Sequence, residues 1–349
     1  MTRDDLALTE PSTPAEAGFA MPPEWDEHAG CLMSWPCRTE LWGSRLDEAK
    51  DDYAAVARAI AAFEPLTMVC RPGSEAEVRD RCGADVDVVQ APLDDSWMRD
   101  NGPIFVRDRA GEVAVVNFAF NAWGKRWQPY DSDDALPARL AEHLGLRVFD
   151  APMVLEGGAF FVDGEGTVLT TEQCLLNPNR NPALSREDIE RLLCDYLGAS
   201  RVIWLPYGHS LDVGPEGTDG HVDGIAQYLA PGRIVLEVPS DPAASEFETG
   251  AQNLESVTDT VDAAGRRLVI ERLDPPADAE VAYCNYYLAN GAVIMPVSGD
   301  GRDDGPREQL GWLHPDRTVV GVPGEVIAFG GGGPHCITQQ IPASIAAKE

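Results

Sequence analysis

Residues 159–170 read AFFVDGEGTVLT. Two runs of aromatic, aliphatic and β-branched residues, 159–162 and 167–170, flank the turn Asp-Gly-Glu-Gly, and this pattern is typical of a β-hairpin. An amphipathic pattern at residues 186–197 predicts a helix after the hairpin, and an apolar run at 202–205 predicts a third strand. The segment is therefore expected to form one ββαβ module.

The same order of elements recurs along the chain. Three more hairpins with Gly-containing turns are predicted, at 104–106 with 113–118, 225–229 with 234–238, and 286–288 with 292–297. Each is followed by a predicted helix and strand, at 133–144 and 147–149, 244–263 and 268–273, and 304–313 and 318–322. The modules are spaced at about 50–65 residues, which is close to the range of repeat architectures.

The N-terminal module lacks one strand of its hairpin. It has a predicted strand at 31–35, a helix at 45–63 and a strand at 66–70. Residues 337–340, near the C-terminus, provide a strand of the missing type. Pairing of the two chain ends predicts an α/β fold of five ββαβ modules closed on itself, with an insertion between residues 70 and 100.

Domain organisation and compartment follow from the ends of the chain and from its cysteines. Residues 1–20 are polar, proline-rich and without periodicity, so we expect a flexible arm before a single domain over 21–349. The arm has no apolar stretch of the signal-peptide type, and no apolar run reaches the ~18–20 residues of a membrane span. Eight cysteines without a Cys-x-x-Cys pair favour free thiols in a reducing cytoplasm.

The charge is strongly acidic, with 27 Lys and Arg against 58 Asp and Glu and a net charge of −31. Such a surface argues against nucleic acid and anionic membranes as partners. It attracts small cations, although an acidic surface also serves solubility alone.

A polar residue with reactive chemistry stands at the entrance to each predicted hairpin or to the closing strand. These residues are Asp100 in DDSWMRDNGPIF, Glu156 in LEGGAFF, His221 and Asp223 in DGHVDGIAQY, Asn285 in AYCNYYLA, and Cys336 in GGGGPHCITQQ. Equivalent positions of repeats arranged around an axis come together, so we expect these side chains to meet in one pit.

This set of residues points to chemistry on a guanidinium group. A thiolate attacks an electron-poor carbon, and a histidine protonates the leaving group and later takes a proton from water. Carboxylates beside a thiol raise its pKa unless a cation shares the site. A guanidinium is such a cation, and carboxylates bind it bidentately. The set therefore predicts a guanidine hydrolase.

Other interpretations of single residues remain open at this point. Cys336 alone is more often a small buried hydrophobe, and a cysteine can also ligate a metal. The metal interpretation lacks a helix-borne His pair, so no metal is expected. His335 precedes Cys336, and neighbours on an extended chain point to opposite faces, which favours His221 as the catalytic histidine.

Seven stretches between residue 19 and the C-terminus resemble the agmatine deiminases, in the peptidyl-arginine-deiminase-like branch of the guanidino-modifying superfamily. They are MPPEWDEHAGCLMSWP, DDSWMRDNGP, FNAWGKRWQPYDSDD, LEGGAFFVDGEGTVLTTEQCLLNPNRNP, GHVDG, NYYLANGAVIMP and GGGPHCITQQIP. The resemblance implies the pentein fold, a five-bladed α/β propeller with pseudo-fivefold symmetry. It also implies a reaction without metal or organic cofactor, and a homodimer, since family members are commonly dimeric.

The resemblance also implies roles for individual residues. Cys336 matches the nucleophile that forms an amidino-thioether intermediate, and His221 matches the general acid and base. Asp100 and Asp223 match the pair that binds the guanidinium, and Glu156 matches the carboxylate associated with the histidine. The expected reaction is agmatine plus water to N-carbamoylputrescine and ammonia.

Substrate contacts beyond the guanidinium are predicted from residues in or near the matching stretches. Trp97 and Trp123 are candidates to line a channel over an alkyl chain, with Trp123 more often a core residue. The candidates for a distal ammonium, which are also ordinary turn residues, are Asp94, Asp95 and Asp219.

Two segments depart from the family pattern. GHSLDVGPEGTDGHVDG before and after His221 is altered, with Gly224 where the family has Asn, and Gly333-Pro334 replaces Asn-Ile before His-Cys. Another guanidino substrate, such as an arginine derivative, a peptidyl-arginine or a specialised metabolite, therefore stays an alternative to agmatine. Amidino transfer to an amine is a further alternative, whereas a non-enzymatic binding protein would be expected to lack Cys336 or His221.

Overall fold

Five separate β-sheets form the framework of the protein in a computed structural model that describes residues 12–214 and 217–344. Four sheets have three strands and one has four. The strands are β1 His28–Ser34, β2 Leu66–Cys70, β3 Val86–Gln90, β4 Ile104–Arg107, β5 Val113–Ala119, β6 Arg147–Val154, β7 Phe160–Val162, β8 Thr167–Thr171, β9 Arg201–Leu205, β10 Ala226–Ala230, β11 Arg233–Glu237, β12 Val269–Leu273, β13 Tyr287–Ala289, β14 Ala292–Val297, β15 Thr318–Pro323 and β16 Thr338–Pro342.

The four three-stranded sheets share one topology. In each, an antiparallel hairpin is followed by a third strand that pairs parallel with the second hairpin strand, in the orders β4-β5-β6, β7-β8-β9, β10-β11-β12 and β13-β14-β15. Parallel pairing requires a crossover connection, which here includes the predicted helix. The ββαβ order predicted for these modules is confirmed.

The fifth sheet joins the two ends of the chain. Strand β16 pairs antiparallel with β1, with Cys31 opposite Gln340 and Met33 opposite Thr338. The predicted pairing of the C-terminal strand with the N-terminal module is therefore confirmed. The predicted insertion between residues 70 and 100 contains the helix Glu75–Cys82 and strand β3, which pairs parallel with β2.

Helices pack between and beside the sheets. They are α1 Thr39–Trp42, α2 Leu46–Ala61, α3 Glu75–Cys82, α4 Met98–Asn101, α5 Ala122–Lys125, α6 Asp131–Asp134, α7 Leu136–Leu144, α8 Glu172–Leu175, α9 Arg186–Leu197, α10 Phe247–Val257, α11 Asp304–Leu313 and α12 Glu325–Phe329. Helix α9 begins with a capping box, in which Ser185 Oγ accepts from the Asp188 backbone N–H and Asp188 accepts from that of Ser185.

Two predicted helices differ from the observed ones. The helix expected at 133–144 is divided at Ala135 into α6 and α7, with Pro137 at the start of α7, where its missing N–H costs nothing. The helix expected at 244–263 is shorter, since Thr258 adopts an extended conformation directly after α10.

The N-terminal segment differs from the predicted flexible arm in its second half. Phe19 is 4% exposed and belongs to the apolar cluster between the second and third sheets in chain order. Its neighbour Ala20 exchanges backbone hydrogen bonds with Arg107. Residues 12–20 are therefore packed against the domain because an aromatic side chain anchors them, whereas residues 1–11 lie outside the described residues.

Short helical turns stand directly before the first strands of three modules and bring those strand entrances together. Helix α4 precedes β4, the 3₁₀ turn Gly157–Ala159 precedes β7, and the 3₁₀ turn Val222–Gly224 precedes β10. The turn at Gly157–Ala159 contacts both of the others, and α4 also contacts β16. None of the helices among the described residues is both long and apolar enough to cross a bilayer.

Candidate active site

Gly158 marks the centre of a cluster of reactive side chains. A Cβ atom added to this glycine would lie 2.7 Å from His221 Nδ1, 2.8 Å from Asp100 Oδ1 and 2.9 Å from Asp223 Oδ2. Side chains from two modules therefore surround one small space beside a glycine of a third module. The predicted convergence of the hairpin entrances is observed for these side chains.

Cys336 lies beside this space. Its Sγ is 3.4 Å from Asp223 Oδ2 and 3.1 Å from Asn285 Nδ2, and the residue is 5% exposed. Burial raises the pKa of the Cys336 thiol well above its ordinary value, and the carboxylates of Asp223 and Asp100 raise it further. In the absence of a cation the group is therefore a neutral thiol.

The glycine run before Cys336 allows close packing around the sulfur. A Cβ on Gly332 would lie 2.5 Å from the Trp97 ring and 3.1 Å from Cys336 Sγ, and one on Gly333 would lie 2.6 Å from Asn285 Oδ1. The backbone approaches the ring, the thiol and the amide because these two residues lack side chains.

Asp100 accepts two hydrogen bonds within the cluster. Its Oδ2 accepts from Trp123 Nε1 at 2.9 Å and its Oδ1 from the Gly158 backbone N–H at 3.0 Å. Burial raises the pKa of Asp100 to about 6, with His221 opposing this and the carboxylates of Asp223 and Glu156 adding to it.

The raised pKa predicts an acid limit to the binding of a cation. Below about pH 6 Asp100 is protonated, so kcat/KM for a cationic substrate is expected to fall as the pH decreases through about 6. Replacement Trp123→Phe removes one donor to the ionised form and is expected to move this limb upward by about one pH unit. The measurement is kcat/KM against pH for both proteins.

Trp127→Phe is the matched control for this prediction. Trp127 lines the same cavity as Trp123 and Asp100, and its ring lies under the Arg38 guanidinium. The control is expected to keep the limb of the native protein. If kcat/KM falls at the same pH in Trp123→Phe and in the native protein, Trp123 does not influence the pKa of Asp100.

His221 lies between two carboxylates. Its Nδ1 is 3.8 Å from Asp100 Oδ1 and its Nε2 is 3.9 Å from Glu156 Oε2. Neither ring nitrogen has a hydrogen-bond partner among the residues that the structure describes. Burial would lower the pKa of His221, but Asp100, Cys174 and Glu156 hold it well above its ordinary value. At neutral pH His221 is therefore an imidazolium with a proton to give.

Glu156 is fully buried and is itself held by an arginine. Its Oε1 accepts from Arg180 Nε at 2.6 Å, while its Oε2 faces His221. Arg180 also donates to Asp219 and to the Thr218 carbonyl. This arginine fixes the carboxylate that faces His221, and it was not predicted from the sequence.

Two small cavities meet at Cys336, and both are also lined by Thr218 and Gly331. One has aromatic and apolar walls that include Leu41, Trp97, Trp123 and Trp127, and Asp100 lies in it. The other has polar walls that include His209, Asp212, Asp223 and Asn285. A larger cavity, of about 620 Å³, is a surface groove beside residues 15–26, and none of these groups lines it.

Two groups of three buried side chains in the described part of the chain have ligand atoms within 4.8 Å of one another. They are Glu156 with Cys174 and His221, and His209 with Glu237 and Glu246. The first group contains His221, which is already placed in the cluster. In the second, Nδ1 of His209 faces Glu246 at 3.4 Å and Nε2 faces Glu237 at 3.6 Å, as in an imidazole that bridges two acids.

Residues 20–342 match the model of the family described as Porphyromonas-type peptidyl-arginine deiminase. The chain belongs to this family. An assigned agmatine deiminase of Legionella pneumophila is 40% identical over 343 residues, covering 95% of this chain and 97% of that protein. The structure of an agmatine deiminase of Enterococcus faecalis is 34% identical, with a TM-score of 0.92 over 97% of this chain and 99% of that one. A C. jejuni agmatine deiminase with substrate bound is 25% identical, with a TM-score of 0.82 over 94% of this chain and 97% of that chain.

As a member of this deiminase family, the chain is a hydrolase that acts on carbon–nitrogen bonds. Its mixed α/β fold matches the solved agmatine deiminases over nearly the full length. The resemblance inferred from the seven sequence stretches is therefore confirmed.

The two tryptophans predicted to contact the substrate both line the aromatic cavity. Trp97 is 4% exposed and stacks on Trp42 at 6.0 Å between centroids. Trp123, which the sequence favoured as a core residue, lies at the boundary of core and cavity, where its indole N–H binds Asp100. Asp100 accepts this hydrogen bond because its carboxylate lines the same cavity as the Trp123 ring.

The three aspartates predicted to bind a distal ammonium have other contacts. Asp94 accepts from the Ser132 backbone N–H at 2.8 Å, Asp95 pairs with Arg38 at 2.8 Å, and Asp219 pairs with Arg180 at 2.6 Å and with Arg126. None of the three lines either cavity at Cys336. Their carboxylates bind the backbone and arginines of the surrounding loops.

Asp212 and Asn285 are two polar residues of the polar cavity for which no chemical role was predicted from the sequence. Asn285 donates from Nδ2 to Cys336 Sγ and accepts with Oδ1 from the Cys336 and His335 backbone N–H groups. Burial raises the pKa of Asp212 to about 7. The position of Asn285 at a hairpin entrance was visible in the sequence, but nothing there indicated that its amide faces the sulfur.

One departure from the family pattern, Gly224, lies in the wall of the polar cavity. A Cβ on Gly224 would lie 3.2 Å from His209 Cβ and 3.7 Å from Asp212 Oδ2. A larger side chain at position 224 would therefore occupy the space next to His209. The altered segment changes the surroundings of the reactive groups rather than those groups themselves.

Proposed function

We propose that this protein hydrolyses agmatine to N-carbamoylputrescine and ammonia through a covalent amidino-thioether on Cys336. The observation that supports this most directly is the position of the thiol beside Asp100, Asp223 and His221 around the space at Gly158. Two carboxylates select a planar cation, and the sulfur lies where it can reach the central carbon of that cation.

Substrate binding would activate the nucleophile. The thiol has a high pKa because it is buried next to Asp223 and Asp100. A guanidinium held by the same two carboxylates offsets their charge, so ionisation of the thiol becomes easier when the substrate is present. Asn285 Nδ2, 3.1 Å from the sulfur, is placed to donate to the thiolate.

The reaction then proceeds in two balanced steps. In the first, sulfur bonds to the guanidinium carbon, His221 gives its proton to the departing nitrogen, and ammonia leaves. In the second, water adds to the same carbon while neutral His221 takes a proton from it, and the carbon–sulfur bond breaks. The second proton of the water is released to solvent, so the products are a ureido compound and the free thiolate. No electrons are gained or lost.

Agmatine is the substrate that best fits the size and charge of the site. Cys336 is 5% exposed and is reached through small cavities, which suits a free small molecule better than an arginine within a polypeptide. The aromatic walls suit an alkyl chain. Asp212 adds a further carboxylate, and no arginine or lysine is among the described residues that line the two cavities. A substrate with a carboxylate is therefore disfavoured.

The expected result with purified protein is ammonia and ureido product from agmatine, with kcat/KM at least roughly 100-fold above that for free arginine, since a carboxylate among acidic walls costs about 3 kcal/mol. A peptidyl-arginine is expected to be inert. No added amine is needed for release of ammonia, which distinguishes hydrolysis from amidino transfer. Turnover of arginine peptides in preference to agmatine contradicts the substrate assignment.

Architecture, assembly and compartment belong to the same proposal. The repeated strand order of five sheets and the convergence of strand entrances support a five-bladed propeller with a pseudo-fivefold axis through the site. All eight cysteines are free thiols, which supports a reducing cytoplasm. A homodimer is proposed from the family resemblance.

A further inference from the structure

His335, the neighbour of the nucleophile, turns away from the cavity into a buried charged group. Its Nδ1 is 2.8 Å from Asp223 Oδ2, and its Nε2 is 3.0 and 3.1 Å from the two carboxylate oxygens of Glu24. The residue is 0% exposed, and the Phe161 ring lies 5.0 Å from its own. Both nitrogens thus face carboxylate oxygens, and an imidazole donates from both only when it is protonated.

The charges of this group balance without the substrate. Arg99 Nη1 donates to Glu24 Oε1 at 2.9 Å, so two cations, Arg99 and His335, face two carboxylates, Glu24 and Asp223. Burial and Arg99 lower the pKa of His335, but Glu24 and Asp223 raise it to a net value above the ordinary one. The pKa of Glu24 is lowered to about 2, against its burial, by Arg99 and His335.

The two carboxylates that face the guanidinium therefore differ. Asp100 has a pKa raised to about 6 because it is buried and has no cationic hydrogen-bond donor at bonding distance. Asp223 is equally buried, but its pKa is lowered by the hydrogen bond and charge of His335, with His221 and the Cys336 thiol contributing. One carboxylate titrates near neutral pH and the other stays ionised.

We propose that His335, held as an imidazolium by Glu24, is a positioning residue that keeps Asp223 ionised and oriented toward the substrate. It does not touch the reacting atoms, and it acts on the reaction only through Asp223. This assigns a purpose to Glu24, which lies 311 residues before His335 in the MPPEW stretch and has no contact with Cys336 or the cavities. The inference rests on the proposed function, because Asp223 matters as a ligand of the guanidinium.

Two variants test the chain of contacts. His335→Asn retains an N–H near Asp223 but removes the positive charge, and Glu24→Gln keeps a hydrogen-bonding group beside His335 but removes the negative one. Each variant is expected to raise the pKa of Asp223 by about one to three units. Protonation of Asp223 then adds to that of Asp100, so kcat/KM is expected to fall more steeply with acid and to begin falling at a higher pH. KM is expected to rise more than kcat falls, by roughly tenfold or more at pH 7.

Glu64→Gln is the matched control. Glu64 is also a buried carboxylate paired with a histidine, His28, at 3.2 Å, but this pair lies between the first and last modules, away from the cavities. The control is expected to be less stable than the native protein while keeping its pH profile. A limb that stays at its native position in His335→Asn and Glu24→Gln overturns the proposal.

The charge of His335 is measured separately from turnover. Protein labelled with ¹⁵N-histidine is expected to show a doubly protonated ring at pH 7 that is missing in His335→Asn and becomes singly protonated in Glu24→Gln. A singly protonated His335 at pH 7 in the native protein overturns the proposal, whatever the activity. Failure of the native protein to release ammonia from any guanidino compound would count instead against the proposed function.

Discussion

Cys336→Ala is expected to release no ammonia from agmatine, with kcat reduced at least roughly 10⁴-fold. The proposed reaction passes through a bond to this sulfur, and none of the other seven cysteines, all within the described residues, lines either cavity at Cys336. Intact-protein mass spectrometry of acid-quenched native enzyme is expected to show an adduct of agmatine less ammonia. The variant is expected to show none.

Binding and folding are checked independently for this variant. Asp100 and Asp223 remain, so Cys336→Ala is expected to bind agmatine in calorimetry without turning it over. Cys284→Ala removes a buried thiol one residue from Asn285 that does not line the cavities, and it is expected to retain activity. Ammonia release by Cys336→Ala at a rate near that of the native protein rejects the covalent mechanism.

His221→Asn is expected to lower kcat by roughly 10²–10⁴-fold. The imidazolium between Asp100 and Glu156 is the proposed donor to ammonia and, once neutral, the acceptor from water. Asparagine keeps a polar group of similar size but cannot shuttle a proton at neutral pH. Adduct formation and its decay are measured by rapid quenching and mass spectrometry, and both steps are expected to slow.

A buried histidine elsewhere provides the comparison. His314 is 8% exposed and binds the Tyr286 hydroxyl at 3.0 Å, outside the cavities. His314→Asn is expected to affect stability without changing either chemical step. If His221→Asn loses activity no more than His314→Asn does, the acid–base role of His221 is wrong.

Local patterns predicted most of the framework, because hairpins and helices depend on residues close in sequence. Alternating apolar strands around Gly-containing turns identified four hairpins. Strand β3 was missed because the pattern Val86-Asp-Val-Val-Gln is short and had no place in the repeat.

The candidate site was predicted in part for the same reason. Repeats arranged around an axis bring equivalent positions together. The convergence of Asp100, Asp223, His221, Glu156 and Cys336 could therefore be predicted from the order of the modules. The partners of these residues did not follow, since Arg180 and Asp212 reach the site from positions with no repeat-related counterpart. The hairpin-entrance position of Asn285 was visible, but not the contact of its amide with the Cys336 sulfur. Asp94, Asp95 and Asp219 look free in the sequence, but arginines and backbone amides that are distant in the chain contact them in the structure.

The sequence by itself determined the order of elements, the joining of the chain ends and the reactive set that ends at GGGGPHC. Only the tertiary structure decided the protonation of that set, because pKa depends on burial and on charges brought close by folding. Asp100 and Asp223 are the same residue type at equivalent positions, yet folding gives one an indole donor and the other an imidazolium. That difference arises from Glu24 and His335, which meet across nearly the whole length of the chain.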